Sequence, residues 1–412
     1  MTRPVAVTPL VEQLFRHTAG RLTAAVVRVL GPGRIDLAQD VVQDAMLQAL
    51  RRWPFHGVPD QPAAWLMRTA RNRAIDLLRH ERVGRDLEDR LGHHLGLLAE
   101  EGERERADDT LNLLLACADP ELGAANALPL MLATLAGLSA REIARALLLP
   151  EPTVAQRIVR AKRRLAAADS PSGSWTASEE RLEIARQAIY LMFSEGHAPA
   201  TADSVLRHDV AREGVRLALL LADRAGADPA SHALAALCCL VAARFPTRAD
   251  GAGGVVLLDS QDRGAWDAEL IRRGLHHLAR AAEGDRPTRY HLEAAIAAEH
   301  ALAPEFGATN WPGIADLYDG LVVLLPTPVI RTNRAVALVM SGRDAEAAAE
   351  FAALESEPGV DKWGWFFAAR AWYHERRGDR AAMQRDTDRA LTLTASAPQR
   401  RVLEQRLETR DS

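Results

Sequence analysis

Apolar residues along this chain recur at intervals of three and four residues, and stretches that alternate apolar and polar residues are nearly absent. The first spacing places apolar side chains on one face of an α-helix, whereas alternation would indicate β-strands. Runs of β-branched residues are short as well. The pattern therefore predicts an all-α protein made of successive amphipathic helices.

The clearest pair of predicted helices is the segment 138–165, LSAREIARALLLPEPTVAQRIVRAKRRL. Pro150 and Pro152 end the first helix, and Thr153 is the expected N-cap of the second. The second helix has a basic exposed face, which is typical of a helix-turn-helix that enters the major groove of DNA. An ordinary helical hairpin with a solvated basic face is the alternative. The candidate DNA-contacting residues are Thr153, Gln156, Arg157, Arg160, Lys162, Arg163 and Arg164.

Two more helices are predicted before residue 85. The first is IDLAQDVVQDAMLQALRRW, ending at Trp53, with a buried stripe that includes Leu47 and a polar face formed by Asp40, Gln43 and Asp44. The loop PFHGVPDQ follows, and then the helix PAAWLMRTARNRAIDLLRHERVGR, whose arginines point outward. Arginines on one helical face beside aromatic and loop residues suit a groove that follows the backbone of a melted DNA strand.

The order of these motifs resembles an extracytoplasmic-function (ECF) sigma factor of bacterial RNA polymerase. Four segments follow one another within about residues 8 to 168: DVVQDAMLQALRRW, W-x-x-R-x-A-R-N-R-A-I-D, an acidic segment and EIARALLLPEPTVAQRIVRAKRRL. The resemblance implies a sigma region 2 at 8–85, an acidic linker at 86–109 and a sigma region 4 with the helix-turn-helix at 110–168.

The resemblance also implies roles for individual residues. Asp40, Gln43 and Asp44 would dock on core RNA polymerase, although a solvated acidic face would show the same pattern. The helix-turn-helix would hold minus-35 DNA, and the opened minus-10 element would be captured by Trp53, Arg68, Arg71, Asn72, Arg73 and Asp76. Trp53 and Trp65 could stack on bases, but at such positions a tryptophan more often belongs to the core.

The acidic linker has two open interpretations. Negative charge could occupy the cationic path of nascent RNA in the polymerase cleft, which is where the resemblance places this segment. A disordered, solvated tether would have the same composition.

The second half of the chain is predicted to be a separate helical domain at 179–412, after a small and polar linker at 169–178. Three stretches resemble an ECF group with a large tetratricopeptide-like C-terminal domain, namely LMFSEGH, LLDSQDRGAWD and TNWPGIADLYDGLVVLLPTPVIRTNRAVAL. Three positions depart from the pattern of that group. Ser194 stands where the group usually has Asn, and His197 stands where it usually has an aromatic residue. Thr134 occupies about the place where the group often has an arginine.

A repeat in the last hundred residues is visible from the residues alone. NRAVALVMSGRDAEAAAEFAAL and FAARAWYHERRGDRAAMQRDTDRAL share small residues near Ala337 and Ala371 and turns at Gly342 and Gly378. An offset of about 34 to 36 residues matches a tetratricopeptide helix pair, and such solenoids present concave binding surfaces. The domain is expected to bind a protein partner, with a structural brace for the sigma regions as the alternative.

Composition restricts the DNA-binding hypothesis to local surfaces. Of 51 basic residues only Lys162 and Lys362 are lysine, and the net charge is −4. A GC-rich genome explains the arginine bias, so arginine abundance is no argument for DNA. Cys117, Cys238 and Cys239 lack metal-ligand spacing and are expected to be reduced thiols in helix cores.

Enzymatic and metal-binding alternatives have little support in the sequence. Asp250, Asp259, Asp262 and Asp267 surround DGAGGVV, but EF-hand spacing and a P-loop lysine are missing, so turns and helix caps explain the aspartates better. The adjacent pairs at 93–94 and 276–277 are histidines that point to different helix faces. We therefore expect no catalytic residues, no metal and no cofactor.

Membrane insertion is not expected either. The segment 122–140 has no charged residue, but glycine, proline and polar residues interrupt it, as in a buried helix of a soluble protein. The first residues show no secretory signal, which predicts a cytoplasmic location. Taken together, the sequence predicts a sigma factor that binds the β′ and β subunits of core RNA polymerase and initiates transcription at specific promoters. A sigma-like scaffold that no longer initiates is the alternative.

Overall fold

A computed structural model of the chain describes residues 7–81, 103–167, 177–197, 208–249 apart from 225, 256–394, 400 and 404. Within these residues the protein has 17 α-helices and no β-strand, which confirms the all-α prediction. The chain divides into two compact units, Met1–Glu195 and Gly196–Ser412.

The first unit is a helical assembly in which α1 packs against α2, α3, α4 and α5. Its helices are α1 Val7–Leu30, α2 Ile35–His56, α3 Pro62–Glu81, α4 Glu103–Cys117, α5 Ala124–Leu135, α6 Ala140–Ala146, α7 Glu151–Ala167 and most of α8 Glu179–His197.

Helix α2 shows how the apolar spacing creates the core of this unit. Its buried residues follow intervals of three and four from Ile35 to Trp53. Leu47 departs from the prediction because 47% of its surface is exposed. At 100° per residue Leu47 lies on the same face as Gln43 and Asp44, so the core cannot reach it.

The predicted acidic linker is partly helical. Residues 86–102 lie outside the described residues, but α4 already begins at Glu103. Asp109, which is 6% exposed, pairs with Arg28 of α1, with 3.1 Å between Oδ1 and Nε. The last seven residues of the predicted linker therefore belong to the folded unit.

The start of α8 is attached to the first unit. The Arg181 guanidinium donates to the carbonyl of Leu115 at 2.5 Å and to Asp119 at 3.3 Å. The compact units consequently divide at Glu195, whereas composition places the division near residue 178. Most of the predicted 169–178 linker lies outside the described residues.

The second unit contains helix pairs in sequence order. Its helices are α9 His208–Asp223, α10 Pro229–Ala242, α11 Ala268–Ala281, α12 Arg289–Leu302, α13 Trp311–Leu324, α14 Pro328–Met340, α15 Asp344–Glu355, α16 Gly364–Arg376 and α17 Arg380–Leu393. The pairs α14–α15 and α16–α17 are the two predicted repeats. Each turns at a glycine with positive φ, 77° at Gly342 and 73° at Gly378, a conformation that favours glycine.

Two of the aspartates that suggested a metal site cap helical segments, and Asp259 instead accepts a hydrogen bond from the Ser260 hydroxyl at 3.0 Å. Asp262 accepts from the Gly264 amide and Asp267 from the Leu270 amide, while Asp250 lies outside the described residues. No cluster of potential metal ligands occurs among the residues with a described position. The three cysteines are buried and free, as predicted.

One segment, Pro229–Thr247, is long and apolar enough to cross a membrane. Because 72% of it is buried inside the unit, it is better explained as a core helix. The shorter apolar helix α5 is also largely buried, and Thr134 within it is 2% exposed.

Candidate nucleic-acid interface

The helix-turn-helix consists of α6 and α7. A capping box starts α6, because the Ser139 hydroxyl accepts from the Glu142 amide and Glu142 in turn accepts from the Ser139 amide. In the turn, Leu148 has a φ of 54° and is 91% exposed. The Leu149 amide then donates to the Ala144 carbonyl at 2.8 Å, which closes the turn.

Thr153 is not the N-cap of the second helix, contrary to the sequence prediction. Helix α7 begins at Glu151, and the Thr153 amide donates to the Pro150 carbonyl at 3.0 Å. The first turn of a helix has amides without partners, so Pro152 is tolerated there and the helix begins earlier. Thr153 is a partly exposed residue of this first turn.

Helix α7 buries Val154, Ala161 and Leu165 and leaves a stripe on the opposite side exposed. Gln156, Arg160 and Arg163 lie on this stripe, and none of them has a hydrogen bond or ion pair with another described residue. Val159, which is 47% exposed, lies between them. Val159 was not among the residues predicted from the sequence, although its spacing from Gln156 and Arg163 would have placed it there.

The other three basic candidates on α7 have partners within the protein. Arg157 donates to the Ala125 carbonyl at 3.3 Å, and Arg164 pairs with Glu121. Lys162 reaches α2, where its Nζ lies 2.6 Å from Asp36 Oδ1 and 2.7 Å from Gln39 Oε1. The seven predicted residues therefore divide into an accessible set and an engaged set.

The Lys162 contact belongs to a close junction between the helix-turn-helix and the N-terminal helices. A Cβ added at Gly33 would lie 3.1 Å from Ala166 Cα and from the Leu165 carbonyl oxygen. A Cβ added at Gly20 of α1 would lie 2.3 Å from the Leu135 carbonyl oxygen of α5. Both glycines thus permit backbones to approach at a distance that a side chain would prevent.

A polar groove of about 570 Å³ separates α2 from α3. Helix α3 contributes three of the predicted minus-10 residues, Asn72, Arg73 and Asp76. Helix α2 contributes Asp44, whose Oδ2 lies 4.0 Å from Arg73 Nε. The groove therefore joins residues for which the sequence analysis predicted separate partners. Arg68 is exposed outside the groove lining, and Arg71 is partly buried.

Trp53 must be removed from the candidates for base stacking. Its side chain is 2% exposed, and its ring lies edge-on to that of Trp65, with 5.5 Å between centroids. Helix α2 continues through Pro54 to His56, so Trp53 extends the buried stripe. Phe55, 84% exposed, is the aromatic residue that this extension leaves on the surface. Phe55 lies one helical turn beyond Arg51, which lines the groove.

Asp40, Gln43 and Asp44 are all exposed on α2. The exposed Leu47 adjoins them, one turn beyond Gln43 and Asp44, so that an apolar side chain completes an otherwise polar surface. Combinations of this kind are common at protein interfaces.

Comparison with known families identifies both parts of this unit. Residues 14–83 match sigma-70 region 2, and residues 122–165 match sigma-70 region 4. The chain therefore contains the region 2 and region 4 domains of sigma-70 factors followed by a C-terminal extension, an order consistent with an ECF-like sigma factor. Both matches lie within the segments that the sequence analysis assigned to these regions. Sigma factors of this family are transcription regulators that bind core RNA polymerase and promoter DNA, rather than enzymes.

The extension has its own family match. Residues 181–282 match a family of unknown function, DUF6596. Over 392 residues this chain is 37% identical to a protein of Rhizobium meliloti (strain 1021) described as "Uncharacterized protein R00370", and the alignment covers 91% of this chain and 90% of that protein. No solved structure matches the chain.

Proposed function

We propose that this protein binds core RNA polymerase and directs transcription initiation at specific promoters by recognising minus-10 and minus-35 DNA. The observation that carries the proposal is the accessible stripe of Gln156, Arg160 and Arg163 on the second helix of a helix-turn-helix, in a chain with both sigma regions. The protein would act as a specificity subunit in the cytoplasm and would have no catalytic residues, metal or cofactor of its own.

The N-terminal part of α7 would read minus-35 base edges. Gln156 suits the paired donor and acceptor of adenine, arginine suits guanine, and Val159 suits the methyl group of thymine. Arg163 would meet a phosphate further along the helix. Arg157, Lys162 and Arg164 would contribute to DNA binding only after release from their partners within the protein.

Region 2 would bind the opened minus-10 strand along the groove between α2 and α3. Arg68, Arg71 and Arg73 would follow the phosphates, while Asn72 and Asp76 offer hydrogen-bonding groups. Phe55 replaces Trp53 as the aromatic residue on which an unpaired base would stack, since stacking requires an exposed ring face.

The surface formed by Asp40, Gln43, Asp44 and Leu47 would dock on the β′ subunit, and region 4 would approach the β subunit. Leu47 gives this surface an apolar centre, and the carboxylates around it favour a basic partner surface. Asp44 also lies near Arg73 of the DNA groove, so polymerase docking and strand capture would be adjacent events.

The spacing of the two promoter elements favours a separation of regions 2 and 4. The minus-10 and minus-35 elements are about 25 base pairs apart, or about 85 Å along B-DNA. The longest helix of the first unit, α1, has 24 residues and measures about 36 Å. Because Lys162 bridges the two regions, we propose that this junction opens when polymerase binds.

The C-terminal domain would regulate this activity or bind a protein partner. A sigma-like scaffold that docks without initiating is the alternative, and reconstituted transcription distinguishes the two. With purified core polymerase, the proposal predicts a stable complex and promoter-dependent transcripts that the variant Arg160→Ala reduces and Arg141→Ala, an exposed arginine on α6, does not. A stable complex without transcripts would favour the scaffold.

A further inference from the structure

The second compact unit contains a groove that promoter binding does not use. It has a volume of about 540 Å³ and lies between α14, α16 and the start of α13. Four of the eight tryptophans of the chain line it, namely Trp311, Trp363, Trp365 and Trp372, and Phe306 joins them. Tryptophan is enriched at the energetic centres of protein interfaces.

The groove follows the repeat of the fold. Helix α14 lines it with one face, made of Val329, Thr332, Asn333, Val336 and Met340. Each position recurs 36 residues later on α16, as Trp365, Ala368, Ala369, Trp372 and Arg376. Gly342 and Gly378 have the same offset, so equivalent faces of two successive repeats form the walls. A continuous concave surface of this type is how helical solenoids bind extended partners.

Two polar side chains in the groove lack partners. The exposed Asn333 forms no hydrogen bond with another described residue. The Arg376 guanidinium lies over the Trp372 ring, 5.2 Å from its centroid, and pairs with no carboxylate in the described ranges, although Asp259 also lines the groove. Stacking on the indole holds this positive charge at the groove without neutralising it.

The walls also contain buried polar atoms without hydrogen bonds. Thr332, 3% exposed, has an unpartnered Oγ1, and the indole nitrogen of Trp311 is likewise buried without an acceptor. Buried donors are nearly always satisfied in folded proteins.

These features favour a peptide over a compact small molecule. A side-chain amide offers a donor and an acceptor, which match the carbonyl and amide of a peptide backbone. Val329 and Trp365 remain 51% and 42% exposed, which extends the apolar surface beyond one enclosed site. Because the Arg376 guanidinium has no ion-pair partner, a carboxylate on the bound molecule would pair with it.

We propose that this groove binds a linear peptide segment of a protein partner that carries a large apolar side chain and a carboxylate. The apolar side chain would contact the tryptophans, Asn333 would bond to the peptide backbone, and Arg376 would pair with the carboxylate. This inference deepens and rests on the proposed partner-binding role of the C-terminal domain, but it does not depend on promoter recognition.

The test selects phage-displayed linear dodecapeptides on the full-length protein and measures the affinity of the enriched sequence by fluorescence polarisation. Arg376→Glu should weaken binding about tenfold or more, since it reverses the charge opposite the peptide carboxylate. Asn333→Ala should weaken it several-fold. Arg377→Glu is the matched control, because Arg377 is the exposed neighbour of Arg376 and does not line the groove.

Enriched peptides that combine an apolar and an acidic residue, and that discriminate Arg376→Glu from Arg377→Glu, would support the proposal. A selection without enrichment, or peptides that bind both variants equally, would overturn it. Self-association of the protein that Trp365→Ala abolishes would assign the groove to a second copy and also overturn it. Core polymerase binding measured on the same variants should not change, so failure of the groove is distinguishable from failure of the sigma function.

Discussion

Substitution of Gly20 by alanine should separate region 4 from region 2. The added Cβ would lie 2.3 Å from the Leu135 carbonyl oxygen and 3.1 Å from the carbonyl carbon, so both neighbours are backbone atoms. Helices cannot yield locally as a flexible side chain does, so α1 and α5 must move apart. Overpacking of this kind costs about 1 to 3 kcal/mol. In an isolated helix α1, alanine would be more favourable than glycine by about 1 kcal/mol. The overpacking cost therefore acts on the contact between α1 and α5 and not on α1 itself.

Carbodiimide cross-linking offers a direct assay of the junction. The reagent joins amines to carboxylates in contact, and Lys162 is one of two lysines in the chain, 2.6 Å from Asp36. We expect a Lys162–Asp36 cross-link by mass spectrometry in the unmodified protein and a several-fold lower yield in Gly20→Ala. Gly320→Ala is the control, since its Cβ would meet only the two Leu292 methyl groups, at 3.4 and 3.9 Å. An unchanged yield in a folded Gly20→Ala protein would refute the reasoning.

Arg160→Ala should weaken binding to a preferred minus-35 sequence by about 1 to 3 kcal/mol in fluorescence anisotropy, whereas an equal loss on all sequences would assign Arg160 to a phosphate. Phe55→Ala should reduce promoter opening in permanganate footprinting, by about 1 to 3 kcal/mol for one stacked base, and unchanged opening would exclude the stacking role. Burial lowers the pKa of His277 from 6.5 to about 4. The unfolded chain therefore takes up this proton first, and His277 should contribute a fall of about 2 kcal/mol in the free energy of unfolding as pH drops from 6.5 to 4, a contribution that His277→Gln removes. Leu148→Asn should raise the free energy of unfolding by about 0.5 to 1 kcal/mol in urea denaturation, because asparagine tolerates positive φ and the leucine side chain is already exposed; a loss of stability would show that Leu148 is not strained.

Local pattern was sufficient for the helices and their buried faces. Intervals of three and four residues identified most of α2 and the helix-turn-helix, because amphipathic spacing and capping are properties of short segments. Two mistakes occurred where prolines were taken as helix ends. Pro54 lies inside α2 and Pro152 in the first turn of α7, so Trp53 became a core residue and Thr153 a helical one.

The sequence pattern could not predict contacts between segments that lie far apart in the chain. Lys162 and Asp36 are 126 residues apart, and a basic residue on an exposed-looking face gives no sign of its partner. The groove of the second unit was partly accessible, since the repeat of Gly342 and Gly378 is visible in the sequence. The residues that line the groove could not be predicted, because Val329 and Trp365 occupy equivalent positions in the repeat but have different side chains.

Transcription reconstituted from purified core RNA polymerase, the full-length protein and a library of promoter fragments tests whether this protein is a promoter-specificity subunit. We expect the protein to form a stable complex with core polymerase and to enrich transcripts from fragments that share minus-10 and minus-35 sequences. We also expect Arg160→Ala to shift or abolish the minus-35 preference. A folded protein that neither binds core polymerase nor selects any promoter sequence would contradict the proposed function.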